Sequence, residues 1–292
     1  MACADCFRGN IHEGKPKGEV GHVHGLPTYI SRPPQGTPSR GVVVVIPDAF
    51  GWEFGNNRLL ADTYAEKGGF TVYLPDFMNG MLSYIQTARC VTVADWDEGH
   101  AAPLRMFDHG RAFSTSPNIL TKIYHLFWAV LDVIPFFYHC NPSSTFPVVK
   151  GFFTQLRKDE GATQSVGAAG FCWGGKHVVL LSQGHAAADG RPLLDAGFTA
   201  HPSMLRIPSD IAKIRRPVSF ALAAKDDQIP AAKAARLKAL VEALPPPATG
   251  EAYVIERTGH GFAVRADLAE DDVAAQAARA EDQCIDWFNK HF

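Results

Sequence analysis

From Gly41 onward, short runs of apolar residues alternate with longer stretches in which apolar residues recur at helical spacing. Val42-Val43-Val44-Val45-Ile46 is apolar at every position, which predicts a strand covered on both faces. Asn56 or Asn57 is placed to cap a helix carrying Leu59, Leu60 and Tyr64 on one side, Gly68-Gly69 closes it, and residues 70–74 return as a second strand. That is one βαβ unit. Further strands are predicted at residues 165–171, 196–200, 218–222 and 252–255, with helices from about Gly174, over residues 231–244 and from about Asp271. The last helix has acids in its first turn and places Val273, Ala277, Ala280, Cys284, Trp287 and Phe288 on one apolar face. The pattern predicts an α/β protein with a mostly parallel central sheet and helices on both faces.

The alternation fails between about Phe77 and Pro147, where His, Pro and Asp mix with a strongly apolar helix over about residues 119–137. This reads as an insertion or cap within a single domain spanning 1–292. The stretch from Leu126 to Tyr138 is too short to span a bilayer and contains Asp132 and Pro135, so a buried or lid helix is expected. Its Phe127, Trp128, Phe136 and Phe137 fit a partly covered apolar pocket.

Composition narrows the classes. A chain of 292 residues that is 46% hydrophobic and 20% charged is neither disordered nor coiled coil, and it is long enough to bury a large core. With 28 basic against 30 acidic residues it has no global field to hold a polyanion, so neither nucleic acid nor a membrane is expected as a partner. Cys3, Cys6, Cys90, Cys140, Cys172 and Cys284 are too sparse for a disulfide scaffold. The first residues lack a basic start followed by an apolar run, which makes the expected location cytoplasmic. Cys3 and Cys6 form a CxxC pair with no second pair to complete four ligands, and they read as part of a disordered or tucked N-terminus; no metal or cofactor is expected.

Gly170-Phe171-Cys172-Trp173-Gly174-Gly175 sits where an apolar strand meets a helix and has the spacing of a nucleophile elbow, with Cys in the place usually held by Ser. Glycines flanking the nucleophile let strand and helix approach closely, and the thiol then projects at a helix N-terminus that favours thiolate and oxyanion. The rival reading is a buried core cysteine in an ordinary turn. An elbow hydrolase needs an acid and then a histidine, in that chain order, after later strands. Asp226 follows the strand at 218–222, with its neighbour Asp227 as rival, and His260 follows the strand at 252–255. His260 would take and return protons while Asp226 fixes its tautomer. His177, on the elbow helix, reads as packed or solvated, and His201 ends a strand where it could line the pocket.

These features resemble the dienelactone hydrolases, an α/β-hydrolase family with a cysteine nucleophile, and the fungal branch in particular. Three segments carry the resemblance: Ile46 to Gly51 after the first strong strand, Gly170 to Gly175, and Lys225-Asp226 together with Gly259 to Phe262. The resemblance implies a triad of Cys172, Asp226 and His260, with backbone N–H groups of Trp173 and Ala49 at the oxyanion. It implies an acid beside the thiol that modulates it; Asp48 stands where the family typically has Glu, one methylene shorter, and either does that job or caps its loop. Arg265 resembles an arginine that binds a substrate carboxylate. The implied activity is hydrolysis of a lactone or other activated ester through a thioester acyl-enzyme, with a small-molecule substrate and a monomer or homodimer as the assembly. The alternative is a catalytically weak hydrolase-fold protein that binds an apolar ligand or partner through its insertion.

Overall fold

The computed structural model describes residues 9–78, 109–110, 112–113 and 115–292. Cys3, Cys6 and Cys90 lie outside them, as do residues 79–108 of the insertion expected between about Phe77 and Pro147. Among the described residues, eight strands form one sheet: β1 (Glu19–Val23), β2 (Leu26–Ser31), β3 (Val42–Ile46), β4 (Thr71–Pro75), β5 (Val166–Phe171), β6 (Ala196–Ala200), β7 (Val218–Lys225) and β8 (Gly250–Gly259). Their order is β1-β2-β4-β3-β5-β6-β7-β8. The β1–β2 and β2–β4 pairs are antiparallel, and every pair from β4–β3 to β7–β8 is parallel. The α/β fold with a mostly parallel sheet is thus the one the apolar pattern predicts.

The strand residues alternate between two cores because successive side chains leave a strand on opposite faces. Val43 and Val45 face α1 (Gly55–Gly68) and the C-terminal helix, together with Tyr64, Phe70, Trp287 and Phe288. Val42, Val44 and Ile46 face the other side, with Phe152, Phe153, Trp173 and Val178. That side carries α2 (Ile119–His139), α3 (Pro142–Lys158) and α4 (Trp173–Leu181), continuing through a third apolar cluster to α5 (Ala231–Glu242). The C-terminal helix is α6 (Asp271–His291).

Two local expectations are corrected. α1 starts after Phe54, which offers no side-chain cap, and Asn56 and Asn57 lie in its first turn. Their amides serve loops instead: Asn56 Nδ2 donates to Asn10 and Val264 carbonyls, and Asn57 Nδ2 donates to Gly51 O and to Asp48. α2 forms over the predicted stretch, with Asn118 Oδ1 accepting from Leu120 N at 2.9 Å. Of the two expected alternatives, a buried or a lid helix, the first does not hold over its N-terminal half. Ile119, Leu120, Ile123 and Phe127 are exposed, while Ala129, Phe136 and Cys140 near its end are buried.

Phe288 shows how the frame is locked. It is fully buried, meets Phe70 edge-on at 6.0 Å, and fills the space beside Gly167 in β5, where an added Cβ would lie 2.6 Å from its ring. Truncating a buried phenylalanine removes transfer energy and leaves a cavity, so Phe288→Ala is expected to cost about 3–5 kcal/mol in urea unfolding. A loss below about 1 kcal/mol would show that α6 can repack over β5.

Candidate active site

Every parallel strand from β3 to β8 that leads into the site delivers its residues at the carboxyl edge, where open α/β sheets hold ligands. Asp48 and Ala49 follow β3, Cys172 follows β5, His201 to Ser203 follow β6, Asp226 follows β7 and His260 follows β8. Cys172 has φ 50° and ψ −109°, a region that a residue with a side chain rarely adopts, and it stands immediately before α4. The glycines around it are sterically required. A Cβ on Gly174 would lie 2.0 Å from Ile46 O, and one on Gly170 would lie 2.5 Å from Gly174 O. The close approach also lets Gly174 N donate to Pro47 O at 3.2 Å, tying the elbow to the loop that carries Ala49. Trp173 opens α4, so its N–H is one of those a helix leaves without an internal partner, at the positive end of the helix dipole.

The pairing of β7 with β8 sets Lys225 opposite Gly259, after a register shift between Ala223 and Lys225. Their successors Asp226 and His260 therefore meet: His260 Nδ1 lies 3.0 Å and 2.9 Å from the two carboxylate oxygens of Asp226. Asp226 Oδ1 also accepts from Gln228 N at 2.8 Å. Asp227, the rival, is exposed. The other ring nitrogen, Nε2, is buried and makes no hydrogen bond among the described residues. Burial opposes a charge on His260, but the neighbouring Cys172 sulfur and the Asp226 carboxylate outweigh it and raise the ring to about 10. An imidazolium held between a carboxylate and a sulfur is thus a favoured state.

Asp48 is fully buried and ion-paired with Arg265 Nη1; its Oδ1 also accepts from Phe50 N and Asn57 Nδ2, each at 3.1 Å. Arg265 is 3% exposed and its guanidinium lies over the Phe50 ring at 4.8 Å. These two predicted site residues are brought to each other. His201 is fully buried, with φ 38°, and its ring stands edge-on to His260 at 5.2 Å. Neither of its nitrogens has a hydrogen-bond partner among the described residues, and burial, followed by the His260 and Arg265 charges, keeps it well below the usual histidine range. Of the described groups, His24, Asp159 and Glu160 bring metal-ligand atoms within 4.8 Å of one another, but they sit between the β1–β2 turn and the end of α3.

Comparison with known proteins bears on the family and the fold. The family model described as "Dienelactone hydrolase family" matches residues 148–292, which include the elbow, Asp226 and His260. The chain is 29% identical to the hydrolase tropI of Talaromyces stipitatus over 98% of this chain and 95% of that one. It is 26% identical to the hydrolase pyvD of Aspergillus violaceofuscus, again over 98% and 95%. The fold is also that of the dienelactone hydrolase structure from Anabaena variabilis, with a TM-score of 0.57 and 13% identity over 96% of this chain and all 100% of that chain. Over the matched residues the chain belongs to the dienelactone hydrolase family. It is a hydrolase.

This dienelactone hydrolase relative holds features that the sequence reading missed. Ser203 N donates to Cys172 O at 2.9 Å, and the Cys172 thiol donates to Ser203 Oγ at 3.7 Å. The signal available was position alone, since His201-Pro202-Ser203 follows β6 at the same edge as Cys172, Asp226 and His260. The start of α3 is also tied to the elbow helix. Trp173 Nε1 donates to Cys140 O at 2.6 Å, and His177, expected to be packed or solvated, is buried with Nε2 2.8 Å from Thr145 Oγ1.

Burial lowers His177 to about 4 and also holds His201 well below the usual histidine range. The unfolded chain therefore takes up protons near pH 6.5 that the folded chain refuses, so stability present above pH 6.5 is lost as pH falls toward about 4. The Tm difference between wild type and His177→Gln is expected to narrow over that range, and a difference that stays constant would exclude His177 as a source of acid lability.

Proposed function

We propose that this hydrolase opens a lactone or cleaves another activated carboxylic ester through a thioester on Cys172. The observation that carries the reading is the buried His260, bonded through Nδ1 to both oxygens of Asp226 and with Nε2 unbonded beside a cysteine in an elbow conformation. In the first half-reaction the Cys172 thiol gives its proton to His260 Nε2 and the sulfur attacks the ester carbonyl. The oxyanion is held by the N–H groups of Trp173 and Ala49. Collapse breaks the C–O bond, and the leaving oxygen takes the proton from His260; in a lactone that oxygen stays tethered to the acyl group. Water then gives a proton to His260 and attacks the thioester, and the thiolate leaves and is reprotonated.

Asp48 contributes through the oxyanion loop. By accepting from Phe50 N it holds the turn on which Ala49 sits, and Arg265 neutralises it there. A thioester acyl-enzyme suits enol lactones and activated esters better than amides, because a thiolate leaves more readily than an amine. His201 lines the site beside His260 as a neutral ring. A second reading, a weak hydrolase that holds an apolar ligand or partner on its helical insertion, draws support from the exposed Ile119, Leu120, Ile123 and Phe127 of α2. Among the described residues, no helix is long and apolar enough to cross a membrane.

The test is hydrolysis of p-nitrophenyl acetate and of a dienelactone. Cys172→Ala and His260→Ala are each expected to lose about 10³-fold or more in kcat/KM, and Asp226→Asn a similar amount by misplacing the His260 tautomer. Full activity in Cys172→Ala would remove the nucleophile assignment, and no turnover of any ester by the intact protein would favour the binding reading.

A further inference from the structure

We propose that Ser203 is a fourth catalytic group, a hydroxyl partner of the Cys172 sulfur that accepts from the thiol and donates to the thiolate once the proton has moved to His260. The inference rests on the reading of Cys172 as nucleophile and deepens it. It assigns a role to a residue outside the acid, base and oxyanion set.

Ser203 is 6% exposed, so its hydroxyl needs a partner within the protein. Among the described residues the one recorded for its Oγ is the Cys172 sulfur, at 3.7 Å. The contact is held from both sides. Ser203 N donates to the Cys172 carbonyl at 2.9 Å, and Cys172 N donates to Ala200 O at 3.3 Å, so β6 and the loop after it grip the elbow residue along its backbone. The loop itself is costly to form. His201 and Met204, on either side of Pro202-Ser203, have φ of 38° and 59°, which residues with side chains adopt only when their surroundings enforce it. The enforced turn delivers one small hydroxyl to the sulfur.

The acid after β3 leaves this place open. Asp48 spends its oxygens on Arg265, Asn57 Nδ2 and Phe50 N. The ionisable groups around the sulfur are then His260 with Asp226 behind it from β7 and β8, neutral His201 from β6, and the closed Asp48–Arg265 pair from β3 and the turn after β8. Of these, His260 can donate to the sulfur only once it is protonated, whereas a serine hydroxyl can accept from the thiol or donate to the thiolate without moving. In the thiol state S–H donates to Oγ. When the S–H bond breaks, the proton goes to His260 Nε2, the electron pair stays on sulfur, and the Ser203 O–H turns to donate to it. A hydrogen bond to a charged acceptor is about twice as strong as a neutral one, so the exchange favours the thiolate.

The experiment follows iodoacetamide alkylation of Cys172, read on its own peptide by mass spectrometry, from pH 5 to 10. This readout does not depend on ester turnover. Ser203→Ala is expected to alkylate about tenfold more slowly than wild type near pH 6.5, to converge with it at alkaline pH, and so to move the profile upward. Ser203→Thr, which keeps a hydroxyl, is expected to restore the wild-type midpoint; a merely structural role for Ser203 would not give a pH shift that a hydroxyl rescues. Should Ser203→Ala fail to fold by circular dichroism, Ser203→Gly removes the hydroxyl without adding a methyl group and reads the same shift. Profiles that superimpose, or that move to lower pH, overturn the proposal. If Cys172→Ala still hydrolyses esters, the functional reading falls while the alkylation shift still reports the sulfur–hydroxyl contact; if Cys172 is required and the profiles coincide, this inference falls alone.

Discussion

The first turn of α4 runs so close to β3 that a Cβ on Gly174 would sit 2.0 Å from the Ile46 carbonyl oxygen. That approach is possible only with hydrogen in place of a side chain, and the rest of the site is arranged around it. The helix axis must leave β5 at once, which forces Cys172 into its left-handed backbone and lifts the thiol above the sheet edge. The same contact presses the start of α4 against the β3 loop, where Gly174 N reaches Pro47 O. Cys172, the helix dipole and the loop with Ala49 are thus placed by one steric constraint.

Charge is then added in closed units. Asp226 and His260 form one, with side chains 1% and 0% exposed, and Asp48 and Arg265 form the other. Burying an isolated carboxylate or imidazolium would cost several kcal/mol, but each here has an opposite partner and further hydrogen bonds. The pairing explains why Arg265 faces Asp48: an unpaired acid at that depth would carry the full cost of its desolvation. His201 packs beside His260 and Phe262 as a neutral ring because burial opposes its charge and the cations at His260 and Arg265 repel it further.

The helices between β4 and β5 are joined to this centre through α4. Trp173 offers its indole to Cys140 at the end of α2, and His177, one turn on, meets Thr145 at the start of α3. Trp173 therefore belongs both to the elbow, through its backbone, and to the α2–α3 junction, through its side chain. Displacement of that junction would be felt first at α4.

Much of the fold was legible in the sequence because parallel strands buried on both faces must be apolar throughout, as residues 42–46 are, and because glycines that allow close approach are visible as letters. The chain order of Cys172, Asp226 and His260 followed from the same pattern of strands. Less legible was whatever depends on distance between segments. β1 is half exposed and its residues show no clear alternation, and Asn56 and Asn57 look like helix caps until the loops they bond are folded against them. The sequence by itself determined which residue types stand at the carboxyl ends of the strands, since local periodicity and glycine spacing act within a few residues. Only the tertiary structure decided that Asp226 rather than exposed Asp227 meets His260, that Arg265 closes on Asp48, and that Ser203 touches the sulfur, because hydrogen bonds and ion pairs are set by positions in space that strand register and helix packing create.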